Sequence, residues 1–404
     1  MSFAILALIA LVALLGPLLA LPRAWHLPIV LGELAAGVVL GSTGLRILHS
    51  TDATFTFLAD IGFALVMFIA GSNVPIRDAS LRKALPAGVL RAAGVGVVAT
   101  ILAIGLSRAF GTGHAPLYAV LMASSSAALI LPIVDSLRLG GPSVVPLLPQ
   151  IAVADTACIV ALPLVVDPAK AGHTALGALA VIAAGVILFL LFRTVEHNGM
   201  RRRLHKLSEA REFALELRIS LVVLFALAAL AVVGGVSIML AGFTVGLVVA
   251  AVGEPRRLAK QLFALAEGFL APLFFVWLGA SLNLRDLGAR PSFILLGLAL
   301  GAGAVIAHVV MMVTRQPVSL GLLAGAQLGV PVAAATIGTQ VHVLAPGEAS
   351  AMMLGAIVAI ALAVAGGSLA VRAGLLAPAR SSTSPAQAPA AGPVPAPPAP
   401  GGGG

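Results

Sequence analysis

The chain is a succession of apolar runs, each about as long as a bilayer is thick. PLLPQIAVADTACIVALPLVV (146–166) is typical. A helix needs about 20 apolar residues to cross the hydrocarbon core, and only helices or closed barrels satisfy their backbone groups there. The runs are continuous rather than alternating, which excludes an outer-membrane barrel. With 60% hydrophobic residues, 10% charged residues and a mean hydropathy of +1.10, the chain falls outside the range of soluble globular domains. The reading is an all-α polytopic membrane protein.

Thirteen spans are expected, near 3–21, 28–48, 55–73, 84–107, 116–137, 145–166, 172–193, 215–233, 236–252, 262–281, 292–313, 318–342 and 349–374. No basic residue precedes the first run, so it reads as a span and not as a signal peptide. The Ser/Pro/Ala/Gly stretch 381–404 carries no charge and reads as a disordered tail after a membrane domain of residues 1–380.

The net charge of +9 is no sign of a nucleic-acid partner, because the basic residues sit in short loops between spans. Eighteen of the 24 Lys and Arg fall on one side, five on the other, and Arg91 within the fourth span. The positive-inside rule then places the N-terminus outside and the C-terminus in the cytoplasm of a bacterial inner membrane. The basic segment HNGMRRRLHKLSEAREF (197–213) is expected along the cytoplasmic interface. Cys158, the single cysteine, lies inside a span and reads as a small core residue.

The chain also repeats itself. LGELAAGVVLG (31–41) matches LAGFTVGLVVA (240–250) at an offset of 209, and GSNVPIRD (71–78) matches GASLNLRD (279–286) at 208. The matched spans are an odd number apart, so the copies have opposite orientation. The expectation is an inverted repeat of five helices, about 28–166 and 236–374, with a linker at 194–214. Secondary transporters of this build place their site at the midplane, on interrupted helices.

Two interruptions stand at matching places. One span carries ASSSAALILP, with Ser124, Ser125, Ser126 and Pro132; its partner carries AQLGVPVAAATIG, with Gln327, Gly329 and Pro331. Proline removes a backbone donor and glycine weakens a helix. Pro132, Gly329 and Pro331 are therefore expected as helix breaks, with Pro331 opening a new half-helix.

Asp155 stands alone in the following span. An aspartate at the midplane costs on the order of 2.5–3.5 kcal/mol even on a mild insertion scale, so it is read as functional. A buried carboxylate holds its proton more tightly than one in water. It can take a proton from one side and exchange it for a cation on the other. Ser125, Ser126, Thr156 and freed carbonyls are expected to complete an oxygen shell, making Asp155 the site of a monovalent metal ion.

The stretches PIVLGELAAGVVLG (28–41), IGFALVMFIAGSNV (61–74), ASSSAALILPIV (123–134), IAVADTACI (151–159), LAGFTVGL (240–247) and EGFLAPLFFVWLGASLNL (267–284) resemble the monovalent cation:proton antiporter-2 family, the Kef-type membrane domain, over roughly residues 25–375. The resemblance implies thirteen spans, a dimerisation domain and an ion-carrying core, an elevator-like movement, and exchange of sodium or potassium for protons by a homodimer. It also shows departures. Many members have two polar or acidic residues at the Asp155 site, where this chain has Ala154-Asp155. Many electrogenic members have a lysine in the eleventh span, where this chain has His308. Electroneutral exchange is therefore expected, with His308 as a pH-sensitive partner.

Glu33 reads as a cavity-lining or hydrogen-bonded residue, and Asp60 and Glu267 as acids favoured by helix starts. Gln327 is grouped with His308 and Glu33 as supporting residues. No HExxH or GxSxG motif is present, so no enzyme and no cofactor are expected. The alternatives are an ion-coupled transporter of an anion or organic solute, or a membrane sensor.

Overall fold

A computed structural model describes residues 1–20, 29–72, 77, 79–166, 171–197, 215–253, 256–282 and 284–376. The basic segment 198–213, Asp78 and the tail 381–404 lie outside them. The described chain is helical apart from one isolated bridge, Leu139 to Leu376.

The helices in chain order are α1 (Phe3–Ala13), α2 (Leu15–Ala20), α3 (Ile29–Leu40), α4 (Ala53–Ser72), α5 (Ala79–Phe110), α6 (Ala115–Ala123), α7 (Ala127–Ser136), α8 (Leu147–Val166) and α9 (Ala171–His197). They continue as α10 (Leu215–Val233), α11 (Ile238–Val252), α12 (Arg256–Leu265), α13 (Ala271–Ser281), α14 (Leu284–Ala289), α15 (Pro291–Val309), α16 (Val318–Ala324), α17 (Gly329–Gln340) and α18 (Glu348–Arg372). A π turn, Ala266–Leu270, joins α12 to α13, and a 3-10 turn, Val310–Thr314, extends α15. Pro272, at the start of α13, lacks the N–H that the Gly268 carbonyl would use, which favours the wider turn just before it.

Among the described residues nine segments are long and apolar enough to cross a membrane, with two shorter apolar helices, Phe3–Leu18 and Ile238–Val252. Length alone thus gives fewer crossings than the thirteen expected. The shortfall has local causes. The second expected span is a helix of 12 residues, because the backbone turns at Gly41 and pairs with Leu40 and Val39 carbonyls. The fifth is split into pieces of 9 and 10 residues.

Close packing is set by glycine. A Cβ on Gly37 of α3 would lie 2.9 Å from the Cα of Gly279 on α13, and one on Gly279 would lie 2.9 Å from Gly37. On the other pair, a Cβ on Gly71 of α4 would lie 3.1 Å from the Cα of Gly246 on α11. These four glycines sit in the segments whose sequences match: Gly37 aligns with Gly246, and Gly71 with Gly279. Other helix pairs recur in the same way. α5 packs on α8 as α15 packs on α18, α5 on α6 as α15 on α16, and α8 on α17 as α18 on α7. With backbones this near, side chains on both helices reach across, and contact is made by dispersion rather than by polar groups.

Candidate functional site

Two interrupted helices meet in the interior. The first opens at Ser124–Ser126, between α6 and α7; the second opens at Gly325–Leu328, between α16 and α17. Each opening frees backbone groups in the buried interior, and the two chain segments satisfy one another. Ser126 N–H donates to the Ala326 carbonyl at 2.8 Å. Ser125 Oγ donates to the Ala324 carbonyl at 2.7 Å, and Ser124 Oγ reaches the Leu121 carbonyl at 2.8 Å and Gln327 Oε1 at 2.9 Å. All three serines and Gln327 are buried. A carbonyl oxygen has two lone pairs, so those already bonded to serine can still face a cation.

The expected breaks are corrected here. Pro132 is the sixth residue of α7, inside the helix and not at its opening. A proline there removes one donor without ending the helix. Pro331 is the third residue of α17, and Gly329 is its first, so the second opening lies just before Gly329. The openings fall where the two chains can exchange hydrogen bonds, which prolines a turn or more downstream do not determine.

Asp155, on α8, is 5% exposed. Its Oδ2 accepts a hydrogen bond of 3.1 Å from Ala127 N–H, the first residue of α7. The carboxylate thus caps the positive end of a half-helix that belongs to another span. No hydrogen bond to its other oxygen is found among the described residues. A cavity of about 290 Å³ runs from Ser72 and Leu262 to Ser126, Ala127, Leu328 and Gly329. Glu267, on the π turn, also lines it. The structure therefore brings Asp155, Ser124, Ser125, Ser126 and Gln327 to one crossing, with a passage to it.

Other expected site residues make no hydrogen bond to the crossing among the described residues. Thr156 Oγ1 donates to the Ala152 carbonyl of its own helix at 2.7 Å. His308 is buried on α15 and its Nδ1 is 2.8 Å from the Ala304 carbonyl; among the described residues its Nε2 has no partner and no hydrogen bond joins it to Asp155. Glu33 is buried on α3 and makes no hydrogen bond to the crossing. Arg91, within the fourth expected span, is 7% exposed and donates from Nε to Thr314 Oγ1 at 2.9 Å and from Nη2 to the Thr314 carbonyl at 3.2 Å. Thr314 ends the 3-10 turn, so the guanidinium caps a negative helix end.

Sequence reasoning missed the backbone partners Ala127, Ala324 and Ala326, since nothing in an alanine marks it as a hydrogen-bonding position. It read Glu267 as a structural acid, while the structure places it on the cavity wall.

Residues 9–377 match the family model for the transmembrane sodium/hydrogen exchanger. The chain belongs to the sodium/hydrogen exchanger family. It is 24% identical over 380 residues to "Putative Na(+)/H(+) antiporter YjbQ" of Bacillus subtilis, covering 89% of this chain and 61% of that protein. It is 26% identical over 278 residues to "Probable Na(+)/H(+) antiporter 3" of Methanocaldococcus jannaschii, covering 65% of this chain and 68% of the relative. The chain thus spans less than two thirds of the length of the Bacillus relative. Two structures of the sodium proton antiporter MjNhaP1 from M. jannaschii superpose with TM-scores of 0.63 and 0.67, at 18% identity. They cover 90% and 93% of this chain, and 95% and 97% of theirs. At that identity the likeness is one of fold. Both named relatives are transporters by name and not enzymes. The exchanger family is broader than the Kef-type branch that the motifs resemble, and the matches give that branch no support.

Proposed function

We propose that this exchanger-family chain is a monovalent cation/proton antiporter in which Asp155 is shared, in turn, by a proton and the cation. One observation carries this reading. A buried carboxylate with one oxygen engaged stands at the crossing of two opened helices, bonded to the amide of Ala127, a residue that lines the cavity. The proton and the cation compete for the same group, so neither crosses without displacing the other. The hydroxyls of Ser125 and Ser126 and the carbonyls of Ala324 and Ala326 supply further oxygens of the kind a hard monovalent ion takes. Thr156 and His308 stand outside this shell.

One carboxylate and no intramembrane lysine in α15 support one-for-one electroneutral exchange. Both relatives' names specify sodium, which supports sodium over potassium as the cation. The Kef-type placement rests on the motifs alone. The recurring helix pairs, with Gly37 on Gly279 and Gly71 on Gly246, support an inverted repeat and alternating access by an elevator-like movement. A homodimer with an external N-terminus and a cytoplasmic C-terminus completes the reading, on the family resemblance and the charge bias. In that orientation the cavity opens to the cytoplasm.

Proton flux in everted vesicles tests it. Adding sodium, potassium, lithium or an organic cation to vesicles with an imposed pH gradient should collapse the gradient for the carried ion only. Asp155→Asn should abolish the response while the protein still reaches the membrane. An undiminished response in that variant removes Asp155 from the mechanism, and a response to organic ions alone replaces cation exchange with solute transport.

A further inference from the structure

A second buried carboxylate lies at the opposite end of the broken helix α6. Glu348, the first residue of α18, is 0% exposed. Three donors converge on it. His114 Nδ1 lies 2.6 Å from Oε1, Tyr118 O–H donates to the same oxygen at 2.7 Å, and Ala345 N–H donates to Oε2 at 2.9 Å. His114 precedes α6 and Tyr118 lies one turn into it. The cluster fastens the outer half of the interrupted helix to the last span. The same half-helix ends six residues after Tyr118, at Ser124, which is part of the crossing. His114 is the member that solvent reaches, with 27% of its side chain exposed.

We infer that His114, Tyr118 and Glu348 form a proton-operated clamp that positions α6, and through it the crossing, on the face opposite the cavity mouth. This rests on the antiporter reading for its effect on transport, but the clamp itself does not. Histidine changes charge near neutral pH. Protonated, His114 gives Glu348 an ion pair as well as a hydrogen bond; neutral, it gives only the hydrogen bond. The clamp is therefore tighter with the imidazole protonated and looser with it neutral. In the proposed orientation this face is external, so acid outside would restrain the half-helix and alkali would release it.

Other charged groups face this end. Arg108 ends α5, Arg290 precedes α15, Arg285 lies on α14, and His342 follows α17. All four are exposed, and none bonds to Glu348. Their fields are screened by water and salt. His342 is the other histidine at this end, and a His342→Gln control separates the two.

The experiment is hydrogen–deuterium exchange of residues 115–123 in the full-length protein in nanodiscs, across neutral pH, corrected for intrinsic exchange. Parallel vesicle assays read the pH profile of exchange. Wild type and H342Q should show α6 opening that increases about fivefold from the acid to the alkaline side, the size of a partly exposed ion pair. His114→Gln keeps a hydrogen-bonding amide but cannot titrate, and should flatten that dependence. Tyr118→Phe should raise opening at every pH and leave the slope. The transport profile of H114Q should lose its acid limb. A slope in H114Q equal to wild type overturns the clamp, even if transport changes. Absence of cation-dependent flux in wild type, with the α6 slope intact, overturns the antiporter reading and leaves the clamp standing.

Discussion

Two buried carboxylates brace one interrupted span, Glu348 at its start and Asp155 at its break, and they are finished in opposite ways. Glu348 has both oxygens occupied, by an imidazole, a phenol and a backbone amide. Among the described residues Asp155 has one hydrogen bond, from the Ala127 amide. A saturated carboxylate holds its surroundings in place, because any new ligand must displace an existing one. An unsaturated carboxylate has coordination to spare and can pass from one ligand to another. Burial alone therefore does not mark a transport site; the number of protein donors already bound to the acid discriminates better.

The contrast is broken most sharply by replacing each acid with its amide. Asp155→Asn should abolish cation-dependent proton flux, because the exchanging group itself is removed. Its thermal midpoint in detergent should hold or rise, because the amide oxygen still accepts from Ala127 and a buried charge is gone. Glu348→Gln should do the reverse, preserving flux at alkaline pH within a few-fold while lowering the midpoint. Glu348→Ala should lower stability by about 2–4 kcal/mol, since Tyr118 and Ala345 are left with unmet buried donors. If Asp155→Asn unfolds the protein and Glu348→Gln stops transport at every pH, the two assignments are exchanged.

A smaller effect probes what surrounds Asp155. Ser125→Ala removes the donor to the Ala324 carbonyl and should destabilise by about 1–2 kcal/mol. It should also raise the apparent KM for the cation more than it lowers the maximal rate, because one oxygen of the shell is lost. A change in maximal rate alone would make Ser125 a structural brace of the crossing.

How much of this was legible beforehand differs between the two acids. Asp155 stood out because an isolated charge in a 21-residue apolar run has no bland explanation. The serine run and the Gly-Val-Pro stretch marked the right two helices, and the structure moved both openings toward the N-terminus. Helix-breaking propensity is a local preference, whereas the openings are fixed by hydrogen bonds between chain segments about 200 residues apart. No single-sequence pattern carries that pairing. Glu348 escaped notice for the opposite reason. An acid in the first turn of a helix is ordinary, because the dipole favours it there. Its partners His114 and Tyr118 lie more than 200 residues away and signal nothing in sequence. The apolar pattern fixed the helical class, but helix length did not follow from run length. Gly41 turns the chain before the second run is spent, and the first run bends at Leu14 between α1 and α2.

A third carboxylate extends the comparison to the surface, where the smallest effect is expected. Asp52 precedes α4, and its Oδ2 accepts from the Met1 ammonium at 2.8 Å while Oδ1 accepts from Phe55 N–H at 3.0 Å. The ammonium hydrogen bond, and then the Phe55 amide, hold this carboxyl below the usual aspartate range. A folded-state value below the unfolded one means that the stabilisation is fully present above about pH 4 and is lost as pH falls through the folded value. Like Glu348, Asp52 has both oxygens engaged, yet solvent reaches it and screens the pair. Asp52→Asn should therefore lower the thermal midpoint only slightly at pH 7. The difference from wild type should shrink as the pH falls below about 4. If the two midpoints stay equally far apart over that range, the ion pair is not what holds the amino terminus to α4, and donor count stops being a guide to a carboxylate's role once solvent competes for it.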